Sequence, residues 1–169
     1  MIQTAALNYQ FVLGSDYSSR LIAWWGQGYF GWSHVDALMP DGSCLGARSD
    51  VINGIPAGVQ IRPPGYEKWK RRCLVRMPCT AGEAAEWEVY LRSQVGDPYD
   101  KSDILGLIIG KPMSSAGHWI CSALQTNALE RIGRLPHLCI TPQQVSPNTL
   151  LAVLSALGAT CTSFSSPSS

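Results

Sequence analysis

Residues 33–48 read Ser33-His34-Val35-Asp36-Ala37-Leu38-Met39-Pro40-Asp41-Gly42-Ser43-Cys44-Leu45-Gly46-Ala47-Arg48. Pro40-Asp41-Gly42 is turn chemistry: proline presets φ, aspartate bonds its own backbone, and glycine accepts a left-handed conformation. The flanking runs are short and rich in apolar residues, so Ser33–Met39 and Ser43–Arg48 are expected to form an antiparallel hairpin. Side chains alternate across a strand, which puts His34 and Asp36 on one face.

Outward from this hairpin the chain reads as strands first and helices later. Thr4–Val12 has strand composition. Ser15 or Asp16 caps a short Trp-rich helix through Leu21–Trp25, broken by Gly26, Gly28 and Gly31. Val59–Arg62 is a strand stopped by Pro63-Pro64-Gly65, and Cys73–Met77 one stopped by Pro78. Thr80 with Glu83 forms a capping box, and Ala84, Trp87, Leu91 and Val95 follow near helical spacing. After a break at Asp97-Pro98-Tyr99-Asp100, helices are expected over Ser102–Ile109 and Cys121–Ile132, the second ended by Gly133. Ser146-Pro147 supplies a cap and a first-turn proline for a last helix over Asn148–Leu157. Hairpins followed by consecutive helices give an α+β class, an antiparallel sheet packed against helices.

The length of 169 residues fits one domain, expected over residues 1–158, with a Ser-rich tail at 159–169 expected to be disordered. Hydrophobic residues make up 46%, enough for a core. A net charge of +1 gives no field for nucleic acid or an anionic membrane. The basic cluster Lys68, Lys70, Arg71 and Arg72 reads as a solvated strand face. No stretch approaches the roughly 20 apolar residues of a membrane span. The start, MIQTAALNYQFVLG, has no basic segment before an apolar one, so synthesis is expected in the cytoplasm without a signal peptide.

Cys44, Cys73, Cys79, Cys121, Cys139 and Cys161 are irregularly spaced with no CxxC pair, so neither a zinc site nor a disulfide framework is expected, and no cofactor motif occurs. Cys121 opens a helix, where the dipole and free N–H groups favour a thiolate and can hold an oxyanion. His34, held on a strand, is the candidate base. His118 stands too near Cys121 in sequence to reach round the helix start, though it can line a site. His137 reads as a surface residue.

Four segments resemble the circularly permuted branch of the papain-like NlpC superfamily of cysteine hydrolases, which includes bacterial and phage amidase-like proteins and relatives of lecithin:retinol acyltransferases. They are the His34 hairpin, Gly96-Asp97-Pro98-Tyr99-Asp100 leading to Ile104-Leu105-Gly106, Trp119-Ile120-Cys121-Ser122-Ala123-Leu124, and Ser146-Pro147-Asn148-Thr149-Leu150. The resemblance implies a papain-like permuted fold with Cys121 as nucleophile and His34 as base. It also implies an amide-bond substrate such as a peptidoglycan peptide and a role that can be phage-particle-associated. Lipid acyl chemistry is the second enzymatic reading it carries, although a hydrophobic C-terminal anchor like that of membrane-bound relatives is not expected. Many relatives carry Glu, His or Asn on the returning strand where this chain has Gly46. The imidazole must then be held by Asp36, by Asp50 or by a backbone carbonyl. Otherwise the chain is a non-catalytic binding or structural module of a larger particle.

Overall fold

The computed structural model describes residues 4–14, 31–100, 118–135 and 140–165. The helices expected near Leu21–Trp25 and over Ser102–Ile109 lie outside these residues, as do Cys139 and His137.

Six strands form one antiparallel sheet in the order β4-β3-β2-β1-β5-β6. They are β1 (Thr4–Gly14), β2 (His34–Leu38), β3 (Cys44–Arg48), β4 (Gly58–Arg62), β5 (Trp69–Thr80) and β6 (Thr160–Ser165). Among the described residues three helices accompany them: α1 (Ala81–Ser93), α2 (Cys121–Arg131) and α3 (Pro147–Ala156), with a 3₁₀ turn at Pro142–Gln144. The class is α+β, as the order of hairpins and helices implied.

The alternation along each strand decides which face is covered. Leu7, Tyr9 and Phe11 pair with Met77, Val75 and Cys73 on one side and, for the last two, with Ala37 and Val35 on the other. This face is fully buried and joins one core with Trp87 and Leu91 of α1, Leu124 and Leu129 of α2, and Leu150 and Leu154 of α3. Tyr9 meets the edge of Trp87 with centroids 5.6 Å apart. The capping box at Thr80 forms in full: its hydroxyl accepts from the Glu83 N–H, and the Glu83 carboxylate accepts from the Thr80 N–H at 2.7 Å. Ser146 caps α3 by accepting from the Thr149 N–H at 3.1 Å, with Pro147 in the first turn.

β5 begins at Trp69, four residues earlier than expected, and two further boundaries differ from the sequence expectation. Pro78 does not stop its strand, because β5 runs on to Thr80. β6 begins opposite Arg76, so β5 has a free edge beyond that point and a missing N–H costs no ladder bond there. Residues 160–165 of the expected disordered tail instead form β6, paired with Arg71–Arg76. Thr160, Thr162 and Phe164 alternate along it with strand propensity, and β5 would otherwise present a long open edge. Residues 166–169 lie outside the description.

Candidate active site

The site forms where β2 and β3 part. Their ladder holds only at Ala37↔Leu45 and Leu38↔Cys44. Past it Val35 and Cys121 come together, and the Val35 N–H is among the influences that lower the Cys121 pKa. Cys121 is the first residue of α2, after Ile120 in extended conformation. The first backbone bond of this helix runs from the Leu124 N–H to the Ile120 carbonyl at 3.1 Å. The N–H groups of the first turn therefore have no partner within the helix.

Neighbouring segments hold the thiol and the imidazole in register. Asp97-Pro98-Tyr99-Asp100 runs beside the cysteine segment: Trp119 N–H donates to the Pro98 carbonyl at 3.1 Å, and Asp100 N–H to the Trp119 carbonyl at 3.0 Å. The Trp119 indole donates to Asp97 at 2.9 Å. On the histidine side, the Ser33 hydroxyl accepts from the Gly14 N–H and donates to the Val12 carbonyl. Asn148, in the first turn of α3, accepts from the Trp32 N–H at 2.8 Å. Residues 97–100 and Asn148 thus bond to the residues that flank Cys121 and His34.

His34 and Cys121 stand close enough to shift each other's pKa through charge and hydrogen bonding, and His34 Nε2 lies 2.8 Å from Asp36 Oδ1. That leaves Nδ1 as the ring atom for the thiol. Tyr66, in the loop between β4 and β5, donates to the other carboxylate oxygen, Oδ2, at 2.7 Å, and its hydroxyl stands 3.3 Å from His34 Nε2. Asp36 is wholly buried and His34 nearly so. Burial alone would raise the Asp36 pKa, but His34, Tyr66 and Arg48 hold it below the ordinary carboxylate range. Burial would lower that of His34, yet the charges of Asp36 and Cys121 raise it. For Cys121 burial acts upward, and the His34 charge and hydrogen bond, with the Val35 N–H, bring it below an ordinary thiol. These directions together favour a thiolate–imidazolium pair.

Asp36, not a backbone carbonyl, accepts from the imidazole. Asp50 turns away, its carboxylate 2.9 Å from Arg48 Nε. Gly46 is what makes room for Asp36. A Cβ at position 46 would stand 2.1 Å from Asp36 Oδ1 and 3.3 Å from the Val35 carbonyl. The space a third-residue side chain would fill from β3 is occupied by a carboxylate from β2. Gly46→Ala is therefore expected to destabilise the fold by about 1–3 kcal/mol through overpacking, measured by denaturant unfolding. A larger residue there, glutamate included, meets the same obstacle.

Three residues of this network were not foreseen. Tyr66 is one. Arg48 is the second: it bonds to Glu67, to both oxygens of Asp50 and, at 3.5 Å, to the Tyr66 hydroxyl. Arg62 is the third, buried, donating to the Gly46 carbonyl at 2.9 Å. Both guanidinium groups lie 5.6 Å from the centroid of the Tyr66 ring. Their only sequence signal was two arginines on strands and a tyrosine after a Pro-Pro-Gly turn. Tyr66→Phe removes a buried bond to a charged group and is expected to cost about 1.5–3 kcal/mol, read by the same unfolding measurement.

His34, Asp36 and Glu67 each offer a ligand atom, all within 4.8 Å of one another, and could in principle hold a cation. Both oxygens of Asp36 are already committed to His34 and Tyr66, and Arg48 supplies a positive charge to Glu67. His118 is half-buried just ahead of the cysteine segment. The five described cysteines are free thiols. Neither any family model nor any curated protein matches the chain, so the functional reading rests on this geometry and on the sequence resemblance.

Proposed function

We propose that the chain is a cysteine hydrolase of the circularly permuted papain-like NlpC type that cleaves an amide bond, with peptidoglycan peptides as the substrate class. The observation that carries this reading is a helix-start cysteine beside an imidazole whose Nε2 is held by a buried carboxylate. Cys121 gives its proton to His34, and the thiolate attacks the amide carbonyl. Unpartnered N–H groups of the first turn of α2 stabilise the oxyanion. His34 then protonates the departing amine as the C–N bond breaks, leaving a thioester on Cys121. Water, deprotonated by His34, attacks this thioester and releases the acid and the free thiol. Asp36 fixes the tautomer that points the proton-accepting nitrogen at sulfur.

The non-catalytic reading drew on Gly46 as a lost third residue. Asp36 occupies that space, so the glycine no longer argues for a degenerate site. None of the described helices is long and apolar enough to cross a membrane. An association with phage particles or the cell wall is part of the same proposal.

The test is incubation with purified peptidoglycan peptide fragments, followed by mass analysis for two products that together gain one water. In parallel, Cys121 is expected to alkylate at neutral pH at least about tenfold faster than the other described cysteines, which have no imidazole partner among the described residues. Intact fragments together with uniform thiol reactivity would overturn the proposal.

A further inference from the structure

The pairing register places a second set of polar groups on the sheet face that carries His34 and Asp36. His34 lies across from Val12, and Val12 across from Arg72. Asp36, Gln10, Leu74 and Thr162 form the next row, and Leu38, Asn8, Arg76 and Thr160 the one after. Along these rows runs a cleft of about 450 Å³, lined among others by Asn8, Arg72, Leu74, Arg76, Thr160 and Thr162. Its size suits a small ligand or a few residues of a chain.

Charge distinguishes this cleft. Among the described residues that line it, none is acidic. Arg48, Arg92, Arg131 and Arg134 pair with carboxylates, and Arg62 donates to backbone carbonyls. Among the described residues, Arg72 and Arg76 make no ion pair, and the buried Nε of Arg72, like that of Arg62, has no hydrogen-bond partner. A buried guanidinium donor without an acceptor is costly, and a carboxylate fits its planar fork. The arginines are four residues apart on one strand face, so their backbones are separated by roughly 13 Å, with Leu74 between them. An extended peptide of the same rise would meet both with side chains four positions apart. Arg72 shares a cross-strand row with His34, two strand spacings away, or roughly 10 Å.

We infer that this cleft is a substrate subsite that binds an extended peptide bearing free carboxylates, through Arg72 and Arg76, on the sheet face shared with His34. The inference rests on the hydrolase reading for the word substrate. Asn8, Thr160 and Thr162 supply polar contacts to the peptide backbone, and Leu74 an apolar rung between the two charges.

The test measures binding of an acetylated hexapeptide with glutamates at its first and fifth positions, and of its glutamine counterpart, to the Cys121→Ala protein. The acidic peptide is expected to bind at least about tenfold more tightly. That preference should fall to near unity in Arg72→Gln and Arg76→Gln backgrounds. Arg76 is exposed, so its variant is expected to fold even if the Arg72 variant does not. Equal affinity for the two peptides, or a preference that survives both substitutions, would overturn the inference. Wild-type cleavage of peptides in parallel separates the two claims. Acid-dependent binding without any cleavage supports the cleft and removes the hydrolase reading, and cleavage without acid preference does the reverse.

Discussion

Cys121→Ala is expected to lower amide hydrolysis by about 10⁴-fold or more, because the covalent route vanishes while only oxyanion and binding contributions remain. The fold should survive. Cys121 is buried at the start of α2, and the change removes a single sulfur, which takes an acceptor from the Val35 N–H but leaves the helix's own backbone bonds intact. His34 keeps its bond to Asp36, so the imidazole stays in place although it loses a negative neighbour. Turnover of peptide substrate, with the thermal midpoint and near-UV circular dichroism as controls, checks both halves. Hydrolysis that persists near the wild-type rate in a folded variant would assign the chemistry to another group.

Asp36→Asn is expected to slow turnover by about 10³–10⁴-fold, the size of effect that follows when an imidazole is held in the wrong tautomer. The direction of the amide is decided by Tyr66. Its hydroxyl donates to Oδ2, so the amide oxygen is favoured on that side and the NH₂ group faces His34 Nε2. Nε2 must then accept, which puts the ring proton on Nδ1, toward sulfur. The base is blocked although the ring has hardly moved. A second readout separates this from simple unfolding. With the carboxylate charge gone, the raised pKa of His34 falls. Cys121 loses part of the cationic support that holds its thiol down. The pH profile of Cys121 alkylation should therefore shift its rising limb toward higher pH. An unchanged profile together with normal turnover would mean that Asp36 does not orient His34.

Much of this site was legible in local sequence. The turn at Pro40-Asp41-Gly42 set the hairpin, and the two-residue period placed His34 and Asp36 on one face. The capping box at Thr80, Cys121 at a helix start and the Ser146-Pro147 cap were all readable because each depends on residues within one helical turn of each other. Pro78 and the last strand were misread for a shared reason. Whether a proline stops a strand, or a Ser-rich segment joins a sheet, depends on which edge is free.

The identity of the third residue shows most clearly where local pattern stops. In the sequence Gly46 is a missing side chain. In the fold it is the space that Asp36 requires, since a Cβ there would overlap the carboxylate. Tyr66 joins Asp36 from thirty residues away, and Arg48 and Arg62 brace it from two further strands. No periodicity links such positions, because the pairing of β2, β3 and β4 and the path of the loop before β5 bring them together. The sequence by itself determined most of the described elements, since these follow from short-range spacing and backbone preference, and it singled out Cys121 and His34 as candidates through the family resemblance. The tertiary structure alone decided how the carboxylate is held, charged and given room, because burial and sterics act between residues that are distant in the chain.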